Sequence, residues 1–556
     1  MRGNVPPVPG AQQPTAEPGG LGVPAAEPPP RRLSAVTLAI IATTALALLL
    51  RLWQLTKHGY LLGVTEYDDG AYFGGALRLI HGTVPYKDFI TVQPPGIMLL
   101  MTPVAALAGP LGTAKALAIG RILTACAGAG GVTLTGLLIR HRGMLPVAVA
   151  GGFLAVYPDG VYAAHTVLIE PWLVLFCLAG TLAVMDGDHL TGRWQRLGAG
   201  GIAFGFAGVC KVWAIFPLLV LLAGLARMPR RALVFLGGVA TGFALPVLPF
   251  AVLAPHAFYN QVLVAQWSRT DDVRVSLSNR LVSMIGFSHG PNLPHAVLAA
   301  VVFAIAAGAA GASLWATLAS RRLPPALEAF ALCTTALVAI AFLVPNDYYY
   351  HYAAFLGPFL ALAVVLPVSR LAGVLRSRRE VAGNAPAGRA AAGDTGASRA
   401  LYRGGLAATA AVVLVLAVLQ GRTQPDPNYH GVADAVAADE RIIPAGSCVV
   451  ADAVSYTIAA NRFVSTVPGC PEIVDTIGSD YTLSHGRNGV SGAGDTPAVR
   501  QFWLSALSRA QYVWLSGQWP RRLPWTPAIA SFFNAHFRLI RADASGRVYQ
   551  RVRARQ

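Results

Sequence analysis

Uncharged apolar stretches about 20 residues long recur along this chain from Leu33 to the neighbourhood of Gln420. Each is long enough to cross a bilayer core of roughly 30 Å. Only 12% of the 556 residues are charged, against about 25% in a soluble protein, and 54% are hydrophobic. An ordinary soluble enzyme is therefore excluded. The expected fold class is an all-α polytopic membrane protein with a small α/β domain at the carboxyl end.

The net charge of +17 would point to nucleic acid in a soluble chain, but here the basic residues sit in short loops between apolar runs. No nucleic-acid partner is expected, and the charge reports orientation instead. Placing Arg31/Arg32, Arg140/Arg142, Arg193/Arg196, Arg227/Arg230/Arg231, Arg321/Arg322 and the Arg-rich stretch 370–403 in the cytoplasm yields one consistent threading. Its eleven spans lie near 33–52, 116–139, 144–165, 170–186, 197–210, 213–227, 232–253, 295–319, 326–344, 352–369 and 404–420.

That threading makes the chain a multi-pass plasma-membrane protein with its amino terminus inside and its carboxyl-terminal domain outside. Residues 1–30 are Pro-rich without apolar periodicity and read as a disordered cytoplasmic leader. A transmembrane domain covers 31–420, with an outward loop at 53–115 and a basic cytoplasmic linker at 370–403. Within the outward loop, PPGIMLLMTPVAALAGPLG is broken by Pro and Gly and reads as an interfacial helix rather than a span. Residues 254–294 and 421–556 also face outward. From 421 onward, β-prone strings such as CVVAD, QYVWLSG and RVYQRV alternate with the amphipathic TPAVRQFWLSALSRA. Cys448 and Cys470 lie in this region, either as a disulfide or as two buried thiols.

Chemistry concentrates in residues 66–96, EYDDGAYFGGALRLIHGTVPYKDFITVQPPG, which gather Glu66, Asp68, Asp69, His81, Lys87 and Asp88 in a chain that otherwise avoids charge. Carboxylates just outside a membrane helix are suited to taking a proton from a hydroxyl or holding a cation. A structural role is the alternative, with Asp68 or Asp69 capping the helix AYFGGALRLI.

The string Asp68-Asp69-Gly70-Ala71-Tyr72, followed by Gly82, Pro85-Tyr86, Asp88 and Gln93-Pro94-Pro95-Gly96, resembles the first outward loop of a known family. That family is the C superfamily of polyprenyl-phosphate-sugar-dependent membrane glycosyltransferases, which includes the protein O-mannosyltransferases and the aminoarabinose transferase of lipid A. The chain departs from the pattern at Asp69, where Glu is usual, and at Gln93, where His or Lys often precedes the prolines. The resemblance implies that Asp68 is the catalytic acid with Asp69 beside it, and that Glu66, Tyr72, Tyr86, Asp88 and Gln93 support the loop. It places the second outward acid at Glu170 in HTVLIEPW, where an interfacial helix cap ahead of Pro171 is the alternative.

It also places a phosphate-binding cation at Lys211, which otherwise snorkels to the interface. Loop 254–294 offers Tyr259, Asn260, Gln266, Trp267, Arg269, Asp271, Asp272, Arg274 and Arg280. Arg269 is the first choice for the donor phosphate because a guanidinium donates two parallel hydrogen bonds. Similarly, NDYYYHYAAFLGPFLAL resembles the polar-aromatic entry to a late family span, making His351 and Tyr352 donor-phosphate neighbours or members of an aromatic belt.

The implied reaction is inverting transfer of a sugar from a lipid-linked donor. Lys211 and Arg269 hold the phosphate, and Asp68 deprotonates the acceptor hydroxyl. No cofactor is required; a divalent cation held by Asp69 and Glu170 is an undecided alternative. Length, span plan, Arg over Lys and abundant Ala and Gly further resemble actinobacterial mannosyltransferases that cap lipoarabinomannan. That resemblance implies polyprenyl-phosphomannose as donor, a polysaccharide or lipoglycan acceptor, and membrane lipids as surroundings. An arabinofuranosyltransferase is the runner-up. A flippase would need midplane charges and internal repeats, neither of which is evident, and a noncatalytic envelope scaffold is the remaining alternative.

Overall fold

Where apolar runs are long and free of Pro, the backbone satisfies its own polar groups as helix, as a segment in lipid must. In the computed structural model, residues 33–269, 275–288, 294–345, 348–383, 391–423, 432–489, 491–516 and 522–552 are described. The leader at 1–30 lies outside them. Helix α1 (Ala35–Leu55) enters the loop, which contains α2 (Asp68–Ile80), α3 (Gly96–Ala105) and α4 (Ala108–Leu111). The bundle continues with α5 (Thr113–Ile139), α6 (Met144–Ala155), α7 (Pro158–Tyr162), α8 (Glu170–Val184), α9 (Trp194–Cys210), α10 (Ile215–Leu225) and α11 (Pro229–Leu253). A two-residue hairpin, β1 (Met185–Asp186) and β2 (His189–Leu190), joins α8 to α9.

After α12 (Pro255–Tyr259), one π-helical turn, α13 (Ala265–Trp267) and α14 (Leu277–Ser283), the bundle closes with α15 (His295–Ser320), α16 (Ala326–Leu343), α17 (Tyr352–Gly383) and α18 (Ala391–Thr423). The segments expected to span are largely helical. Among the described residues, seven helices (α1, α5, α11, α15, α16, α17 and α18) are long and apolar enough to cross a membrane. The chain is a multi-pass membrane protein.

Two expectations need correction. The run 144–165 is not one helix, because Pro158 lacks an N–H and Tyr157 before it is extended (ψ 111°). Residues 163–169 therefore form a buried non-helical passage that ends at Glu170. The stretch 370–403 is not simply a linker: α17 continues through it to Gly383, and Arg370 is drawn into the bundle by Glu328, with Nε 2.8 Å from Oε2.

The carboxyl-terminal domain comprises α19 (Val432–Ile442), β3 (Val449–Ala451), α20 (Val454–Ala459), α21 (Thr476–Leu483), α22 (Pro497–Arg509), β4 (Tyr512–Leu515), α23 (Pro527–His536), β5 (Phe537–Asp543) and β6 (Gly546–Arg551). Its sheet has the order β3-β4-β6-β5, with β3 and β4 parallel and the other pairs antiparallel. Cys448 and Cys470 form a disulfide that ties the start of β3 to the loop before α21.

Glycine sets the closest helix contact. A Cβ on Gly201 or Gly205 of α9 would lie 2.2 or 2.3 Å from a carbonyl oxygen of α11, and one on Gly242 of α11 would lie 2.2 Å from Ile202 O. The two backbones therefore touch, as small residues four apart permit. At the far end of α9, a Cβ on Gly96 would meet the backbone of Val209 and Cys210 at 2.7 Å. The glycine that follows the paired prolines thus seats the loop on the turn that carries Lys211. Gly242→Val is expected to force α9 from α11 and lower the thermal midpoint in detergent, at a cost of about 1–3 kcal/mol or more. Gly237→Val, on the same helix with nothing within 4 Å of its Cβ, should leave the midpoint unchanged.

Candidate active site

Residues 65–69 lead directly into α2, which starts at Asp68 with no side-chain cap, so neither Asp68 nor Asp69 caps this helix. The two acids diverge completely. Asp68 is half-buried, and its nearest described partner is the Tyr72 hydroxyl one turn on, which donates to Oδ2 at 3.4 Å. Asp69 is fully buried against Arg121 of α5, with Arg121 Nη2 2.6 Å from Asp69 Oδ2 and neither side chain exposed. Thr166 donates to the same oxygen at 2.6 Å, and Ser455 of α20 donates to Oδ1 at 3.0 Å.

The expectation that Asp69 shares the chemistry of Asp68 is corrected: its carboxylate is closed off by partners. Arg121 spends its remaining donors on Thr166 Oγ1 and on the carbonyls of Tyr60, Leu61 and Gly63 at 2.6–3.1 Å. One guanidinium thus ties the exit of α1, the start of α2 and the passage 163–169 together.

Glu170 opens α8 and is also buried, not an interfacial cap. Its Oε1 takes Lys211 Nζ at 2.6 Å and His351 Nδ1 at 2.9 Å. Lys211 follows the last residue of α9 in an extended conformation and points its ammonium at the ring of Trp213, 3.6 Å away, and at that of Tyr352, 4.8 Å away. Lys211 therefore neither snorkels nor faces lipid. Glu170, Lys211, His351 and Tyr352, from three separate parts of the chain, form one ion-paired cluster with aromatic walls. Both carboxylates proposed for a cation, those of Asp69 and Glu170, are engaged by cationic side chains; among the described residues no three His, Cys, Asp or Glu side chains gather to hold a metal.

Glu66 completes the centre. Tyr350 donates to its Oε1 at 2.7 Å, and burial pushes its carboxyl up to about 7, opposed by that hydrogen bond and raised further by the charge of Asp68. The charge of Asp68 also acts on Tyr72 and on Asp475 of the carboxyl-terminal domain, so these groups share one region.

Arg269 comes from the far end of the α12–α13 segment. Its guanidinium lies 4.8 Å from the ring of Tyr481 and donates to Gln266 Oε1 at 3.4 Å, close enough to Tyr352 and Tyr349 for charge to act between them. The segment is fixed by Gln261, which accepts from Thr91 N at 3.0 Å and donates to Tyr86 O at 3.1 Å, and by Gln266, which donates to Val92 O at 2.8 Å.

The loop-support residues do local work. Tyr86 donates to Gln93 O at 2.7 Å, and Asp88 accepts from Val84 N at 2.8 Å to close the turn. His81 bonds Leu77 O, and Lys87 is exposed. Tyr259 and Asn260 are exposed, as is Trp267, at 95%. Arg280 is buried and donates to Phe342 O and Leu343 O, securing the end of α16 rather than facing the site. Asp271, Asp272 and Arg274 lie outside the described residues.

Sequence reasoning missed Arg121, Thr166, Trp213, Tyr350, Ser455, Asp475 and Tyr481. Arg121 carried a signal, since an ionisable residue inside an apolar run marks a site by default. Asp475 and Tyr481 carried none, because only the fold brings Asp475 near Asp68 and Tyr481 beside Arg269.

No family model matches the chain, and no curated protein matches its sequence. Its fold does match solved structures. One is ArnT from Cupriavidus metallidurans bound to undecaprenyl phosphate, with a TM-score of 0.59 at 14% identity, covering 93% of this chain and 98% of that one. Another is the oligosaccharyltransferase AglB from Archaeoglobus fulgidus in complex with an inhibitory peptide and a dolichol-phosphate, with a TM-score of 0.52 at 13% identity, covering 93% and 74%. The chain shares their architecture, a helical membrane domain with a small sheet-bearing domain.

Removing the Arg121 fork leaves Asp69 as an uncompensated buried charge, a change that costs about 3–5 kcal/mol. Arg121→Leu should lower the thermal midpoint by several degrees and open the loop near residues 60–69 to limited proteolysis. Arg121→Lys, which keeps the charge but not the planar fork, should protect the loop only in part.

Proposed function

We propose that this protein transfers a sugar from a polyprenyl phosphate to a hydroxyl-bearing acceptor at the outer face of the plasma membrane. The observation that carries the reading is a half-buried carboxylate, Asp68, whose charge acts on Glu66, Tyr72 and Asp475, the same groups on which His351, Glu170 and Arg269 act. A phosphate linked to an anomeric carbon needs cations at its oxygens and a base on the acceptor side, and the site offers both. The shared architecture with ArnT bound to undecaprenyl phosphate and AglB bound to dolichol-phosphate supports a lipid phosphate as the ligand.

In this reading the donor phosphate lies against Lys211 and Arg269, with His351 close by. Glu170 holds Lys211 and His351 in place and offsets the charge of Lys211, so the net positive charge at the phosphate comes from Arg269. Asp68 takes the proton of the acceptor hydroxyl as its oxygen bonds to the anomeric carbon. The bond from that carbon to the phosphate oxygen breaks, and polyprenyl phosphate leaves with the electron pair. The configuration inverts. Lys211 and Arg269 already stand where the leaving phosphate gathers charge, so little reorganisation accompanies the step.

Glu66 tunes the site by protonation. With its carboxyl near 7, it is neutral below that pH and anionic above it, where it adds a negative charge beside Asp68 and the phosphate. Donor KM should therefore rise as pH climbs from about 6 to 8, and Glu66→Gln should abolish that rise.

The finer reading is mannose from polyprenyl-phosphomannose, delivered to a lipoglycan such as lipoarabinomannan. It rests on the resemblance drawn from length, span plan, Arg over Lys, abundant Ala and Gly, and the outward carboxyl-terminal domain. The experiment is transfer by the purified full chain in detergent, with radiolabelled polyprenyl-phosphomannose and polyprenyl-phosphoarabinose in separate reactions and a lipoarabinan acceptor. Mannose transfer reduced about 100-fold or more by Asp68→Asn is the expected result. Transfer of arabinose alone would overturn the donor, and a folded wild type that moves neither sugar would overturn the reading.

A further inference from the structure

The carboxyl-terminal domain touches the loop at the residues that flank Asp68. Ser455, the second residue of α20, has its hydroxyl 2.8 Å from Glu66 O, 3.3 Å from Tyr67 O and 3.0 Å from Asp69 Oδ1. A hydroxyl has one hydrogen to donate, and each of the three acceptors within its reach belongs to this short segment. Gly70 makes the approach close: a Cβ there would lie 2.3 Å from Ser455 Oγ and 2.5 Å from its amide nitrogen. Only glycine allows α20 to rest on the first turn of α2.

A second contact holds the other side. The Tyr67 hydroxyl donates to Asp475 Oδ1 at 2.9 Å and accepts from Ile477 N at 3.0 Å. Asp475 itself caps α21, accepting from Gly478 N at 2.8 Å, so the tyrosine is bonded to a fixed helix end. Asp68 sits between Tyr67 and Asp69, both clamped by this domain, while its own carboxylate is left to the site.

We infer that the carboxyl-terminal domain is a positioning part of the transfer site, with Ser455 and the Tyr67–Asp475 pair fixing the backbone on both sides of Asp68. The inference rests on the transfer reading above and deepens it. A domain that only captured acceptor would act on acceptor affinity. One that positions Asp68 acts on the chemical step, because a displacement of about 1 Å at a reacting group costs up to roughly 100-fold in rate.

The test is steady-state mannose transfer by the full chain carrying Ser455→Ala or Tyr67→Phe. Each should lower kcat about 10-fold or more, with KM for donor and acceptor within about twofold of wild type and undecaprenyl phosphate binding unchanged. Because both residues work through Asp68, adding Ser455→Ala to Asp68→Asn should cost no further rate. If Ser455→Ala does not fold, Tyr67→Phe carries the test alone. Unchanged kcat, a loss confined to acceptor KM, or a further loss in the double variant would each overturn the inference while leaving the transfer reading intact. A wild type that transfers nothing would overturn that reading, and this inference with it.

Discussion

The buried pair of Asp69 and Arg121 is the interaction on which the site depends. Taking two charges out of water costs several kcal/mol each, and a pair recovers that only when the remaining donors and acceptors are also satisfied. Here they are: the guanidinium reaches three loop carbonyls and a threonine besides the acid, and the acid also has the hydroxyls of Thr65, Thr166 and Ser455 within reach. The result is a hard point at which α1, α2, α5, the passage 163–169 and the carboxyl-terminal domain meet. Its neighbour Asp68 gains a fixed backbone and keeps a half-buried carboxylate whose described hydrogen bond is a long one from Tyr72. In the proposed reading, two adjacent acids are thereby divided between structure and chemistry by their surroundings.

A similar economy governs the cationic side. Lys211 is held at the end of α9 by the close glycine packing beneath it, by Gly96 pressed on the preceding backbone and by the Glu170 carboxylate. An ammonium between a carboxylate and two aromatic faces is anchored without being neutralised by a second acid, since His351 shares Glu170 and Arg269 stands apart beside Tyr481. In the proposed reading, Arg269 supplies the net positive charge and Lys211 a fixed donor for the lipid phosphate.

Much of the architecture was legible because it follows from hydropathy. The apolar runs located the helices, and the strings around Val449, Tyr512 and Val548 located three of the four strands of the sheet, whereas β5 was missed because Phe537–Asp543 mixes charge with apolar residues. The interior of 144–165 was misread because a single proline outweighed continuous apolarity. At the site, residue type located Asp68, Glu170, Lys211 and His351 but not their pairings, since a side chain's partner 40 to 400 residues away leaves no local trace. Asp69 shows the limit most sharply: it looks like a twin of Asp68, and only Arg121 on another helix distinguishes them.

The most direct test is a structure of the full chain in a lipid nanodisc with undecaprenyl phosphate bound. The account expects phosphate density within hydrogen-bond distance of Lys211 or Arg269, facing Asp68, with the lipid tail leaving between helices and the Asp69–Arg121 pair intact. Phosphate density elsewhere on the protein, with the Lys211 cluster empty at saturating lipid, would contradict it.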